Sequence, residues 1–105
     1  MFNSSLINNL TIRDITPDYN AGVSITPYNT EYIAEADGII AGELSAASNG
    51  YMAIYINGIV VEQIGSEQSQ RCRSTFYAQI MKGDIIKIEC AGNYQTPLAN
   101  FFPYR

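Results

Sequence analysis

The sequence predicts an all-β fold: an antiparallel β-sandwich of the jelly-roll type with about eight short strands. Three observations carry that prediction. Apolar and polar residues alternate over short runs, turn signals recur about every 8–12 residues, and no stretch shows a helical period. The stretch from Asp37 to Cys90 organises the rest, with one hairpin expected to turn at Asn57-Gly58 and a second at Lys82-Gly83-Asp84.

At 105 residues the chain fits one domain, divided into a polar N-terminal arm over 1–9 and a single sandwich over 10–105. A chain of this size buries roughly 60–70% of its unfolded surface, so a sandwich core is feasible without staples. Charged residues make up only 15% of the chain, well below the usual share of about a quarter. That deficit implies that some uncharged surface meets other subunits. Eight tyrosines sharpen the point, because tyrosine covers apolar area while keeping a polar tip.

The elements follow in order. Residues 1–9 are rich in asparagine and read as a loose arm or a strand added to a neighbour. Leu10, Ile12 and Ile15 suggest a first strand, broken at Thr16-Pro17-Asp18-Tyr19-Asn20. Gly22 to Thr26 is a second short strand, stopped by Pro27, with Tyr28-Asn29 as a turn. Glu31 to Ala36 begins a longer extended stretch that continues through Ile39–Leu44. Asp37-Gly38 permits a bend or bulge within it. Ser45 to Gly50 reads as a loop.

Tyr51–Ile56 and Ile59–Gln63 flank Asn57-Gly58, the pair preferred for the type I′ turn whose twist matches antiparallel strands. Gly65 to Gln70 is polar and exposed. Ser74 to Ile80 alternates Ser74, Phe76, Ala78 and Ile80 against Thr75, Tyr77 and Gln79. Ile86, Ile88 and Cys90 alternate against Lys87 and Glu89. A hairpin joining these two runs sets Ile80 near Ile86 and Phe76 near Cys90, which an odd-numbered loop provides. In that loop, glycine makes the turn and Lys82 and Asp84 keep it wet. Leu98 to Tyr104 closes the chain as an aromatic strand, with Phe101 and Phe102 on opposite faces.

Chemistry is sparsely written. With no histidine there is no Ser-His-Asp triad, no Cys-His dyad and no imidazole metal site. Neither GxxxxGK[ST] nor GxGxxG occurs. Glu35 with Asp37, or Glu62 with Glu67, are the nearest carboxylate pairs, and they read as solvated side chains on turns. Asp14, Asp18 and Asn20 make only a faint calcium loop. The sequence argues against an enzyme, and no cofactor is expected. The net charge is −4 and the six basic residues form no patch, so no nucleic acid is expected as partner. Arg71 and Arg73, alternating about Cys72, point to one face of a strand.

Cys72 and Cys90 form no CxxC, a disulfide is not indicated, and Cys90 reads as a small hydrophobe in an apolar series. The N-terminus has no signal-peptide pattern and no run approaches a membrane span, so neither secretion by that route nor membrane insertion is expected.

A resemblance adds to this reading. The glycine-led strand Asp37-Gly38-Ile39-Ile40, the approach to Asn57-Gly58, the run into Lys82-Gly83-Asp84-Ile85-Ile86 and the final Phe101-Phe102-Pro103-Tyr104 resemble one superfamily in their order. They look like the tumour necrosis factor and complement globular-head jelly rolls, over about two-thirds of the chain from Tyr32 onward. The resemblance implies a homotrimer packed through aromatic faces. Small free-standing versions are similar to tailed-bacteriophage head fibres, decoration proteins and receptor-binding tips. The lack of a collagen-like stalk and of a signal peptide favours that viral branch over a complement or cytokine role.

Two functions are therefore expected from different classes. The first is a non-enzymatic virion protein assembling as a trimer, with Tyr51, Tyr55, Tyr77, Phe101 and Tyr104 as candidate interface. Its partners are other virion proteins or a host surface receptor or glycan. Its location is the virion, or alternatively outside or inside the cell with release by lysis. On this reading Tyr55→Asp or Phe101→Asp dissociates the trimer. The alternative is a carbohydrate-binding module that uses exposed tyrosines as stacking platforms.

Overall fold

The computed structural model of the chain describes residues 15–25, 29–47, 49–65, 71–95 and 97–105. The arm at 1–9, the expected first strand up to residue 14, Asp14 of the faint calcium loop, Tyr28, Glu67 and the rest of the polar loop at 66–70 lie outside the described residues.

Among the described residues, eight strands form two four-stranded antiparallel sheets. They are β1 (Val23–Ser24), β2 (Tyr32–Ile33), β3 (Gly38–Ala46), β4 (Tyr51–Ile56), β5 (Ile59–Gly65), β6 (Cys72–Ile80), β7 (Ile85–Ala91) and β8 (Leu98–Pro103). The first sheet has the order β1-β8-β3-β6 and the second β2-β7-β4-β5. Consecutive strands outside the β4–β5 hairpin thus alternate between sheets, which is the interleaved Greek-key order of a jelly roll.

The alternation of the sequence decides which side chains meet between the sheets. Ile40 and Leu44 from β3, Phe76 and Ile80 from β6, and Phe101 from β8 face Met52 and Ile54 from β4 and Ile86 and Ile88 from β7. Each sheet thereby buries one face, as period-2 patterning requires. Gly42 stands in this core opposite both Phe76 and Ala99. A β-carbon there would run into the backbone carbonyl of Leu98, so glycine lets β8 lie close against β3.

The Asn57-Gly58 hairpin is as expected: Asn57 (φ 53°) and Gly58 (φ 80°) both take the left-handed conformation of a type I′ turn. A bulge in this pair falls between Ile54 and Tyr55, where the register with β5 slips past Val61.

Two expectations are corrected. The run from Glu31 to Leu44 is not one strand; of the bend or bulge expected at Asp37-Gly38, the chain makes a bend that ends at Asp37. β2 belongs to the second sheet and β3 to the first, with Asp37 in the bend between them, and β3 pairs with β6 without interruption from Gly38 to Ala46. The second hairpin is also absent. β6 pairs with β3, β7 pairs with β2 and β4, and Lys82-Gly83-Asp84 carries the chain from one sheet to the other. Ile80 and Ile86 do share the core. They reach it from facing sheets, because an apolar alternation satisfies burial equally well across a sandwich as beside a neighbouring strand.

Outside the sandwich, a single 3-10 turn (Tyr19–Ala21), capped by Asp18 whose Oδ1 accepts from Asn20 N–H at 3.1 Å, folds over one end of the first sheet. The Tyr19 ring meets Phe102 edge-on, with centroids 5.1 Å apart. Phe102 lies beside Ile39 on the outward face, where Ile39 is nonetheless only 1% exposed. The chain end is tied in as well, since Pro17 bridges Tyr104 and Arg105 N–H donates to Thr16 C=O at 3.0 Å.

Candidate functional site

With the interior filled, function falls to the two outward faces and the turns at their ends. The expected interface residues do not share one face. Tyr77 stands on the outward face of the first sheet, opposite Ala41, and is 65% exposed. Tyr51 and Tyr55 stand on the outward face of the second sheet, because Met52, Ile54 and Ile56 take the inward positions of β4. Tyr104 is half-buried at the chain end, its N–H donating to Asp37 C=O at 3.0 Å. Phe101 is 2% exposed, cross-strand from Ile40 and 6.0 Å from the Tyr32 ring centre, so it offers no surface to a partner. Its neighbour Phe102 takes the outward position, as expected of adjacent strand residues.

The outward face of the first sheet is uncharged around Tyr77 and carries its charges at Glu43, Arg71 and Arg73. Asn100, Ala41 and Tyr77 form one row across β8, β3 and β6, and Leu98, Glu43 and Thr75 form the next. Leu98 is 66% exposed. Towards the far end Ser45 lies opposite Arg73, while Arg71 Nη1 donates to Ser45 Oγ at 2.9 Å. Both arginines thus sit on one side of β6, as the alternation predicts.

The outward face of the second sheet is polar and aromatic. One row runs from Lys87 to Tyr55 and Val60, the next from Glu89 to Ala53 and Gln63, and a third from Ala91 to Tyr51 and Gly65. Lys87 Nζ lies 3.5 Å from Glu89 Oε2, a partly exposed pair worth no more than about 1 kcal/mol. Tyr51 and Tyr55 meet through their hydroxyls at 3.2 Å.

Two shallow grooves border this cluster. One, of about 250 Å³, is lined by Asn29, Tyr51, Lys87, Glu89, Cys90 and Ala91. The other, of about 270 Å³, is lined by Glu31, Tyr55, Gly58, Ile85, Lys87 and Glu89. Asn29 is fixed at the rim by Cys90 N–H donating to its Oδ1 at 2.9 Å.

Titration in this face follows from its hydrogen bonds. The Tyr55 phenol is pushed up to about 12, first by its bond to Tyr51, then by desolvation and by the bond to and charge of Glu89. The neutral phenol is therefore favoured in the folded state. That contribution is complete below the unfolded value of about 10 and is lost as pH rises through the folded one. We expect the tyrosinate absorbance to show a late-titrating phenol that Tyr55→Phe removes; an unchanged titration curve would place the raised group elsewhere. Burial, then the charge of Glu35, raises Tyr32 as well. Burial also raises the Cys90 thiol, which packs partly buried against the core, and both cysteines are free.

The four turn residues act together at one end of the sandwich. Asn57 Nδ2 donates to Asp84 Oδ1 at 3.0 Å, and Ile85 N–H donates to Asn57 Oδ1 at 2.9 Å. Asp84 Oδ2 accepts from Met81 N–H at 2.8 Å, and Gly83 N–H donates to Ala34 C=O at 2.9 Å. Gly58 borders the second groove. Of the carboxylate pairs, Asp37 Oδ1 accepts from Lys82 N–H at 2.6 Å in the same turn region, and Glu35 is exposed.

Lys87, Glu89, Asn29 and Glu31 were not singled out by sequence reasoning. The alternation of Lys87 and Glu89 against Ile86 and Ile88 marked them as outward, but nothing local says that β7 lies beside β4. Among the described residues no helix is long and apolar enough to cross a membrane. Comparison with protein-family models, with curated proteins and with solved structures found no match.

Proposed function

We propose that the chain is a non-enzymatic structural protein of a virion, as a bacteriophage head fibre, decoration protein or receptor-binding tip, and that it assembles as a homotrimer. The observation that carries the assembly is the outward face of the first sheet. Its exposed Tyr77 and Leu98 flank the small side chains of Ala41, Asn100 and Thr75, and its charges are Glu43 and, towards the far end, Arg71 and Arg73. The uncharged part of this face around Tyr77 and Leu98 costs little to dehydrate, as a subunit contact requires. Repetition about a three-fold axis would cover it in every copy. The virion assignment itself rests on the likeness to phage jelly rolls described above, which the eight-stranded order accommodates.

Light scattering on a size-exclusion column tests the assembly. The wild-type chain of 11.6 kDa should elute as a trimer. Tyr77→Asp or Leu98→Asp, both at exposed positions, should elute as folded monomers. A wild-type monomer, or variants that remain trimeric, would remove this face from the interface.

A further inference from the structure

We infer that the outward face of the second sheet is a saccharide-binding platform, built on Tyr51 and Tyr55 and served by the two grooves beside Lys87 and Glu89. The inference does not depend on the assembly reading, since it uses the opposite sheet.

Its geometry begins with two tyrosines four positions apart on one face of β4. At the rise of a strand their backbones are separated by about 13–14 Å, and each side chain reaches about half that distance. Hydroxyls only 3.2 Å apart therefore require both rings to lean towards each other along the strand. Ala53 lies between them on the same face and is 0% exposed, although it points away from the core. The rings thus lie down over Ala53 instead of standing upright, and a ring lying on a sheet turns a π-face outward. The hydroxyl–hydroxyl bond holds them in that posture before any ligand arrives.

The chemistry around the rings selects the ligand. A π-face carries negative quadrupole charge and matches the weakly positive C–H face of a pyranose. The hydroxyls on the edge of a sugar need both donors and acceptors within reach. Lys87 supplies donors, Glu89 and Glu31 supply acceptors, and Asn29, whose Oδ1 is already used, supplies amide donors. Lys87 against two carboxylates leaves no positive excess to draw an anionic ligand. Grooves this shallow and open do not fit a lipid chain, which needs an enclosed apolar cavity. The two grooves meet at Lys87 and Glu89, one beside Tyr51 and the other beside Tyr55, and together accommodate a chain of sugars running along β7 past both rings better than a single residue.

The test is a titration of the full chain with neutral hexasaccharides (cellohexaose, maltohexaose and chitohexaose), followed by backbone and aromatic NMR signals. At least one should bind, shifting signals of Tyr51, Tyr55, Lys87 and Glu89 together. Tyr51→Ala and Tyr55→Ala should each weaken binding about tenfold or more, as loss of an aromatic stacking contact does. Tyr55→Phe keeps the ring and should lose less than Tyr55→Ala, which separates stacking from hydrogen bonding and covers the case in which an alanine variant folds poorly. Tyr77→Asp should bind as the wild type does, whether or not it changes the mass. No shift with any of the three at about 10 mM, the weak end of useful affinity, would overturn the inference. So would shifts confined to another face, or binding that survives both alanine substitutions.

Discussion

Phe101→Ala is expected to cost about 3–5 kcal/mol of stability, the range for emptying a buried phenylalanine site. Stability of a domain this size is only about 5–15 kcal/mol in total, so the variant should be close to unfolding. The ring is fixed on three sides. Val23 and Ile40 lie directly across from it on β1 and β8's other neighbour β3, and the tilted Tyr32 ring reaches it from the second sheet. Tyr32 and Phe101 thus join the two layers, and an aromatic contact adds about 0.5–1.5 kcal/mol beyond area alone. The void cannot close cheaply, because Val23, Ile40 and Phe101 belong to strands locked in register.

Urea unfolding at fixed protein concentration measures this, with a large fall in midpoint and an unchanged slope as the expected result. A loss below about 1 kcal/mol would contradict the packing. Phe101→Asp would bury a carboxylate in the same place and should fail to fold. It therefore reports on the core, whereas Tyr77→Asp reports on assembly. The sequence made both aromatic and could not say which of them the sandwich consumes.

That division runs through the whole molecule. Alternation told inward from outward correctly along β6 and β7, because burial of one sheet face enforces a period of two. Along β8 it set Phe101 and Phe102 on opposite faces but assigned the buried Phe101 to the interface. The Asn57-Gly58 turn was legible because its dihedral angles demand those residue types. Which strand lies beside which was not legible. Lys82-Gly83-Asp84 has the composition of a hairpin turn, and only the long-range pairing of β6 with β3 shows that it crosses between sheets. The same ignorance hid the polar half of the proposed saccharide platform, whose tyrosines the sequence did offer as stacking surfaces. Tyr51 and Tyr55 were visible on one strand, but Lys87 and Glu89 join them through the pairing of β4 with β7, more than thirty residues away.

Asn57→Ala is expected to destabilise by about 2–3 kcal/mol, through two effects that can be separated. One is conformational: at φ 53° a residue other than glycine or asparagine is strained by roughly 1–2 kcal/mol. The other is the loss of the bonds from Asn57 Nδ2 to Asp84 and from Ile85 N–H to Asn57 Oδ1, each worth about 0.5–1.5 kcal/mol, or more where a charged group takes part. Asn57→Gly removes the bonds without the strain, so its smaller loss isolates the second effect. Asp84→Ala removes the partner and also frees Met81 N–H. Because Asn57 belongs to the β4–β5 turn and Asp84 to the crossing between sheets, their bond ties the hairpin to that crossing at one end of the sandwich. The double variant should therefore lose less than the sum of the single losses, with a coupling of about 1 kcal/mol. Losses that add to within about 0.3–0.5 kcal/mol would mean that the turns fold independently and that this contact does not position the crossing. Coupled losses would mean that the hairpin written plainly in the sequence also sets the place where the unreadable connection leaves one sheet for the other.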